Sequence, residues 1–342
     1  MNAKFYKYKL NFKRPAGTSR GVLHQKETYF IEINHNNKKG IGEAALFKGL
    51  SADDVPNYEE KLQWAIDNIH LSYDTILDKL KNYSSIIFGL EQAFKSLNST
   101  NPLLLYPSDF TNGKTKIPIN GLVWMGEKQF MFEQIKQKIN EGYRVIKLKI
   151  GAIDFQDELD LLKYIRSQFS AKEIEIRVDA NGAFQPDNAL EKLKRLSEFD
   201  IHSIEQPIKA GQFEKMNELC QKSPLDIALD EELIGYNYKV NKFEFLNKIQ
   251  PQYIILKPAL HGGFIGTNSW IEAAEQLNIG WWITSALESN IGLNAIAQFT
   301  ADKRVKIPQG LGTGSLFTNN FKTPLYIENG MLGFNGNLLK SI

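Results

Sequence analysis

Tyr6, Tyr8, Leu10 and Phe12 alternate with Lys7, Lys9, Asn11 and Lys13. A period of two is the mark of a strand buried on one face, so the chain is expected to open with a β-strand. Tyr29, Ile31 and Ile33 repeat the pattern, and the RPAGTSRG stretch between the two runs reads as a turn-rich loop. A third short strand is expected over 39–44, followed by a loop over 45–50. Ser51-Ala52-Asp53-Asp54 resembles a capping box with Asp in place of Glu, which predicts a helix start. Ile86, Leu90, Phe94 and Leu97 then fall on one helical stripe.

From about residue 115 the rhythm changes. Short apolar runs near 116–121, 145–150, 174–179, 201–205, 226–230, 253–257, 280–284 and 305–309 read as strands. Amphipathic helices separate them. Met131, Ile135 and Ile139 make one face; Phe155, Leu159, Leu162, Ile165 and Phe169 make another. Ala189, Leu193 and Leu196 make a third, with Pro186 suited to a first helical turn. Eight strand–helix alternations predict an α/β fold, closed as a (β/α)8-type barrel over 113–312. An open doubly wound sheet would carry a glycine-rich phosphate turn after its first strand, and none follows Asn120-Gly121. The tail, with Leu325, Ile327 and Leu332, is expected to return to an N-terminal α+β unit over 1–112, together with the rest of 313–342.

Composition narrows the function. The 342 residues carry Lys+Arg 41 against Asp+Glu 39, a net charge of +2, too balanced for a general nucleic-acid binder. A single cysteine, Cys220, excludes a disulfide framework and fits a reducing compartment. No secretory leader or membrane-spanning run is visible, so a cytoplasmic enzyme or binding protein with no membrane partner is expected.

The candidate chemistry lies at the strand ends, where barrel enzymes place their catalytic groups. Period two puts Lys147 and Lys149 on one face of the second barrel strand. Mutual repulsion and desolvation would lower their pKa values toward those of useful bases. Alone, a K-x-K pair is commoner on an exposed edge strand. The next three strands end in Asp179, Glu205 and Asp230. Any one of these alone would pass as a helix cap or surface charge. Three at matching ends would repel unless a cation joined them, and an all-oxygen set suits Mg²⁺. Lys257 ends the sixth strand, opposite the second in a closed barrel, so Lys149 and Lys257 would face each other across the metal. One metal between two lysines suits proton removal beside a carboxylate.

The ordered set Lys147-x-Lys149, Asp179, Glu205, Asp230 and Lys257 resembles the muconate-lactonising-enzyme-like subgroup of the enolase superfamily. Sites of this superfamily with a Lys or His base and one or two Mg²⁺ are a standard example of tuned acid–base chemistry. Within the subgroup, the stretches 119–124, 284–293 and 310–314 look most like the o-succinylbenzoate synthase family. The resemblance implies a capping domain from the N-terminal part and the tail, and a metal site of Asp179, Glu205 and Asp230 for Mg²⁺, with Mn²⁺ as a substitute. It implies Lys149 as base and then acid in syn elimination of water from a cyclohexadiene carboxylate. Lys257 would stabilise charge on the opposite face. Lys147 would tune Lys149 and lie within reach of the substrate carboxylate. Asn181 and Glu231 would support these groups, and Ser285, Gly312 and Arg20 are candidate substrate contacts. Loops 17–21 and 45–51 would close over the mouth.

The same lysine pair also serves N-succinylamino-acid racemases and dipeptide epimerases, and a non-catalytic binding barrel is the remote alternative. Gln309 to Ile327 contains no Asp or Glu, which argues against a substrate ammonium group. The glycines of 310–314 could hold an anion or simply join barrel to cap. His202 reads as structural, His261 as a loop residue, and Cys220 as core. A homo-oligomer is compatible with all of this, and the sequence does not set the oligomeric state.

Overall fold

The computed structural model describes residues 1–18, 21–236 and 239–340. β1 (Asn2–Thr18), β2 (Gly21–His35) and β3 (Lys38–Ala44) form an antiparallel sheet in that order. Residues 14–18, expected as a loop, belong to β1. Ala16 pairs with Leu23 and Gly17 with Val22, after a register shift between Asn11 and Ala16. The residues of that shift include Pro15, which has no N–H for a ladder and is tolerated at such an irregularity. Both faces of β2 are covered, so Phe30 is as buried as its neighbours: Tyr29, Ile31 and Ile33 pack on helices, whereas Phe30 packs with Leu103 and Ile291.

Three helices follow: α1 (Tyr58–Asp67), α2 (Tyr73–Lys79) and α3 (Ser84–Asn98). The Ser51–Asp54 stretch starts none of them. Ser51 Oγ accepts from Phe47 N at 2.9 Å and Asp54 Oδ2 from Gly49 N at 2.8 Å, so both side chains tie a turn instead. α3 lies directly on β3. A Cβ at Gly42 would come within 2.0 Å of the Gly89 carbonyl oxygen, so glycine is what permits the approach.

β4 (Ile117–Pro118) lies just before the barrel sheet, which opens with β5 (Gly121–Val123) and then alternates: α4 (Lys128–Asn140), β6 (Val145–Lys149), α5 (Phe155–Gln168), β7 (Glu175–Asp179), α6 (Pro186–Ser197) and β8 (Ser203–Glu205). It continues through α7 (Phe213–Lys222), β9 (Ile227–Leu229), α8 (Lys242–Ile249), β10 (Tyr253–Leu256), α9 (Gly263–Gln276), β11 (Gly280–Ile283) and α10 (Asn290–Asp302). β5 to β11 form one parallel sheet in chain order. The strand expected over 305–309 shrinks to two bridging residues. Gln309 pairs with Ile119 and Gly310 with Thr284, joining the two sheet edges. Pro308, just before them, cannot donate to a ladder. Among the described residues no helix is long and apolar enough to cross a membrane.

After the barrel, Leu316 and Thr318 bond to the N-terminal sheet through Lys13 N (2.8 Å) and the Asn11 carbonyl (2.9 Å). The hairpin of β12 (Leu325–Glu328) and β13 (Met331–Phe334) goes elsewhere. β13 pairs with β4, Leu332 opposite Ile117, so Leu332 docks on the short strand just before the barrel sheet rather than on the N-terminal α+β unit where it was expected.

Candidate active site

Register alone gathers the candidate residues. Lys149 pairs with Asp179 and Asp179 with Glu205, while Asp230 and Lys257 directly follow β9 and β10. Asp179, Glu205 and Asp230 are buried. Lys147 Nζ lies 2.8 Å from Asp179 Oδ2 and also bonds Glu205 Oε2. Lys149 Nζ donates to Asp179 Oδ2 at 2.5 Å and to Asn181 Oδ1 at 2.8 Å. Lys257 Nζ bonds Asp230 Oδ2. Asn181 Nδ2 donates to Glu231 Oε1 at 3.0 Å, so the two support residues form one chain behind Lys149.

The electrostatics differ from the expectation for two bare lysines. Burial by itself would lower the Lys147 ammonium, but Asp179, Glu205 and Asp230 outweigh it and hold its pKa above the ordinary value. Lys257 is likewise raised, with burial opposed by Asp230, Glu205 and Glu231. The sequence showed the like charges on one strand; the carboxylates of the neighbouring strands decide the sign. Burial would raise Asp179, yet Lys147 and Lys149 hold it well below the usual carboxylate range. Glu205 is pushed well above that range by burial and by the Asp179 charge. Burial and Asp230 raise Glu231.

Three ammonium groups thus occupy oxygens of the same three carboxylates. Among the described residues no group of three His, Cys, Asp or Glu side chains stands preassembled around a metal position. Two buried oxygens, Glu205 Oε1 and Asp230 Oδ1, have no hydrogen-bond partner among the described residues. Buried carboxylate oxygens without donors are costly, and hard oxygens converging from adjacent strands are the ligands a small divalent cation takes. The residues fit Mg²⁺.

A cavity of about 440 Å³ opens above these groups, lined by Lys147, Lys149, Asn181, Glu231 and Lys257 at its floor. Ser285 and Gly312 lie in its wall. Arg20 falls outside the described residues. Phe47 and Leu50 of the 45–51 loop also face the cavity, as does the irregular stretch Phe12–Ala16 just before the expected 17–21 loop. Gly310 serves closure, since a Cβ there would lie 2.0 Å from Thr284 Oγ1.

Three contributions were not legible in the chain. Thr313 Oγ1 donates to Ser285 Oγ at 2.8 Å, fixing the wall. Tyr143 lines the cavity from the start of the β6 segment. His261, placed in a loop by the sequence, is buried in the turn after Lys257, and its Nδ1 accepts from Lys257 N at 3.0 Å. Burial pulls its pKa down to about 3, so the ring is neutral and acts as an acceptor. Its i, i+4 spacing from Lys257 was the available signal. His202 packs on Tyr253 and Trp282, and Cys220 is buried, its thiol pushed up to about 12 by burial, both as expected of structural residues.

Residues 131–335 match the family described as enolase C-terminal domain-like, and residues 1–97 match the MenC N-terminal domain. The o-succinylbenzoate synthase of Desulfotalea psychrophila is 47% identical, over 97% of this chain and 99% of that protein. The chain belongs to the o-succinylbenzoate synthase family of the enolase superfamily. The crystal structure of MenC from D. psychrophila superimposes with a TM-score of 0.86 at 43% identity, covering 97% of this chain and 99% of that one. A dipeptide epimerase from Enterococcus faecalis, complexed with Mg and L-Leu-L-Tyr, gives a TM-score of 0.81 at 17% identity, covering 97% and 96%. That second likeness shows the shared barrel and cap alone.

Proposed function

We propose that this chain catalyses the Mg²⁺-dependent syn dehydration of 2-succinyl-6-hydroxy-2,4-cyclohexadiene-1-carboxylate to o-succinylbenzoate, a hydro-lyase step of menaquinone biosynthesis. The observation that carries the reading is the pairing of Lys149 with Asp179 and of Lys257 with Asp230 at the floor of one cavity, in a chain 47% identical to an o-succinylbenzoate synthase.

Lys149 Nζ, held by Asn181, gives up its own proton to solvent and, as the neutral amine, takes the proton from the carbon bearing the carboxylate. The electron pair passes into the carboxylate, and the Lys257 ammonium stabilises the charge from the other face. Lys149 then returns its proton to the hydroxyl at C6, which leaves as water from the same face, and the ring becomes aromatic. Lys147 keeps positive charge beside Lys149 and the substrate carboxylate. Asp179, Glu205 and Asp230 would hold the metal, and Mn²⁺, which accepts the same ligands, would substitute. When bound, Mg²⁺ supplies Lewis-acid stabilisation for a carboxylate deprotonated at its α-carbon. A cation held by these carboxylates would leave the three lysine side chains free to face the substrate.

In this reading 1–112, joined by Leu316 and Thr318 of the tail, form the cap and 113–312 the catalytic barrel, while the β12–β13 hairpin packs beside β4. The substrate is a small dianion in a cytoplasmic enzyme, without nucleic-acid or membrane partners, and a homo-oligomer is compatible with it. Racemisation of N-succinylamino acids stays the second reading, because it uses the same two lysines. The test is direct: purified protein with Mg²⁺ and the diene is followed for formation of the aromatic product. Absence of turnover in folded, Mg²⁺-loaded protein would overturn the assignment.

A further inference from the structure

Two buried glutamates of the N-terminal unit reach into the barrel, and each meets the start of a barrel helix. Glu91, on α3, accepts from Phe264 N and from Ile265 N (3.1 Å) at the beginning of α9. Glu43, on β3, accepts four bonds. Thr28 Oγ1 donates at 2.8 Å and Ser289 N at 3.0 Å to its Oε1. Ser289 Oγ donates at 2.6 Å and Gly292 N at 3.0 Å to its Oε2. A carboxylate at a helix start is favoured by the free N–H groups and the helix dipole there.

The two anchors hold different segments. The one before α9 turns away from the cavity after Lys257. The one before α10 is the cavity wall itself, with Thr284, Ser285, Ala286 and Leu287 all facing the space above the lysines. That wall is strained. Leu287 has φ +61°, a left-handed conformation that a leucine side chain disfavours. Local bonds brace it: Leu287 N donates to Ser285 Oγ at 3.0 Å, and Ala286 N to Glu288 Oε2 at 2.8 Å. Ser289 ends the wall, and its Oγ also caps α10 by accepting from Ile291 N at 3.1 Å. Such a conformation persists only where its surroundings over-determine it, and Glu43 supplies three of the bonds at its far end.

We propose that Glu43 is a positioning residue that holds the 284–289 segment, with Ser285 and Leu287, in its strained course along the cavity wall, so that docking of the N-terminal sheet sets the shape of the substrate pocket. Neither Ser285 nor Leu287 carries a proton-transfer group suited to the reaction. Losing their position therefore weakens substrate binding more than it slows proton transfer. The inference rests on the dehydration reading only for its choice of substrate.

The experiment compares Glu43→Gln with Glu91→Gln in the full-length protein. The amide keeps the volume of Glu43 but replaces one acceptor oxygen with a donor. We expect KM for the diene to rise about tenfold with kcat within roughly threefold of wild type, as loss of a charge-assisted network implies. Amide hydrogen exchange should quicken at Ser289 and Gly292. Glu91→Gln alters another buried cap-to-barrel carboxylate, away from the wall, and should keep the wild-type KM. A folded Glu43→Gln protein with wild-type KM would overturn the proposal, as would an equal KM rise in Glu91→Gln. If Glu43→Gln does not fold, Ser289→Ala carries the same KM expectation, and a wild-type KM there overturns it. Wild-type protein inert toward the diene would instead contradict the assigned reaction. The exchange comparison then decides alone, with unchanged rates at Ser289 and Gly292 overturning the proposal.

Discussion

Asn181 accepts a hydrogen bond from Lys149 Nζ at 2.8 Å, and so fixes where the reacting nitrogen points. The residue itself sits at φ +45°, a conformation asparagine tolerates better than most side chains. Asn181→Ala should lower kcat by about 10²-fold, the scale of a misplaced catalytic group, with a small change in KM. Steady-state kinetics with the diene checks it; a wild-type kcat would show that Asp179 alone orients the lysine.

Lys149 itself carries both proton transfers in the proposed reaction. Lys149→Ala should lose at least ~10⁴-fold in kcat, because one general acid–base group contributes ~10²–10⁴-fold and this one serves twice. Lys149→Arg should not restore the rate, since a guanidinium does not give up its proton at working pH. Near-normal turnover in either variant would place the base elsewhere.

The metal prediction rests on the two partnerless oxygens, Glu205 Oε1 and Asp230 Oδ1. Removing divalent cations with a chelator should abolish turnover, and adding Mg²⁺ back should restore it. Mg²⁺ at 100 times its Kd should also stabilise the fold by about 2.7 kcal/mol, an effect that Glu205→Gln should diminish. Thermal unfolding with and without Mg²⁺ measures this without any substrate. Full activity in rigorously metal-free protein would contradict the mechanism.

Lys149, Asp179, Glu205, Asp230 and Lys257 are legible in the sequence because each lies at the end of a short apolar strand, with Lys147 two residues before Lys149 on the same face, and a barrel brings strand ends together. The sign of the Lys147 shift is not, because it depends on carboxylates 32 to 83 positions away, whose distances only the fold sets. Ser51 reads as a helix cap because a serine followed by aspartates ties a turn with the same local bonds. Glu43 gives no signal at all: its partners Ser289 and Gly292 lie 246 and 249 residues on. Arg20 lies outside the described residues.

Stability should depend on pH through Glu91. Burial raises its pKa to about 7, against the backbone donors Phe264 and Ile265, which lower it. The folded state therefore binds more protons than the unfolded chain between about 4.5, the ordinary value of a glutamate, and about 7. Stability falls as pH rises through that window and is lowest, for this group, above it. The span corresponds to roughly 3 kcal/mol at most. Glu91→Gln should flatten this part of the curve, which denaturant unfolding at pH 5, 6 and 8 would show. An unchanged slope in the variant would mean that other groups carry it.

The assigned chemistry itself is tested most directly by giving one preparation both substrates. In syn dehydration Lys149 does all the proton transfer, whereas racemisation needs Lys149 and Lys257 each to deprotonate one enantiomer. The kcat/KM for the diene should be compared with that for N-succinylamino acids of either hand in D₂O, with deuterium entry at the α-carbon followed alongside. The account predicts that dehydration is much the faster. A racemisation kcat/KM above the dehydration value, with deuterium washed in from both enantiomers, would contradict it.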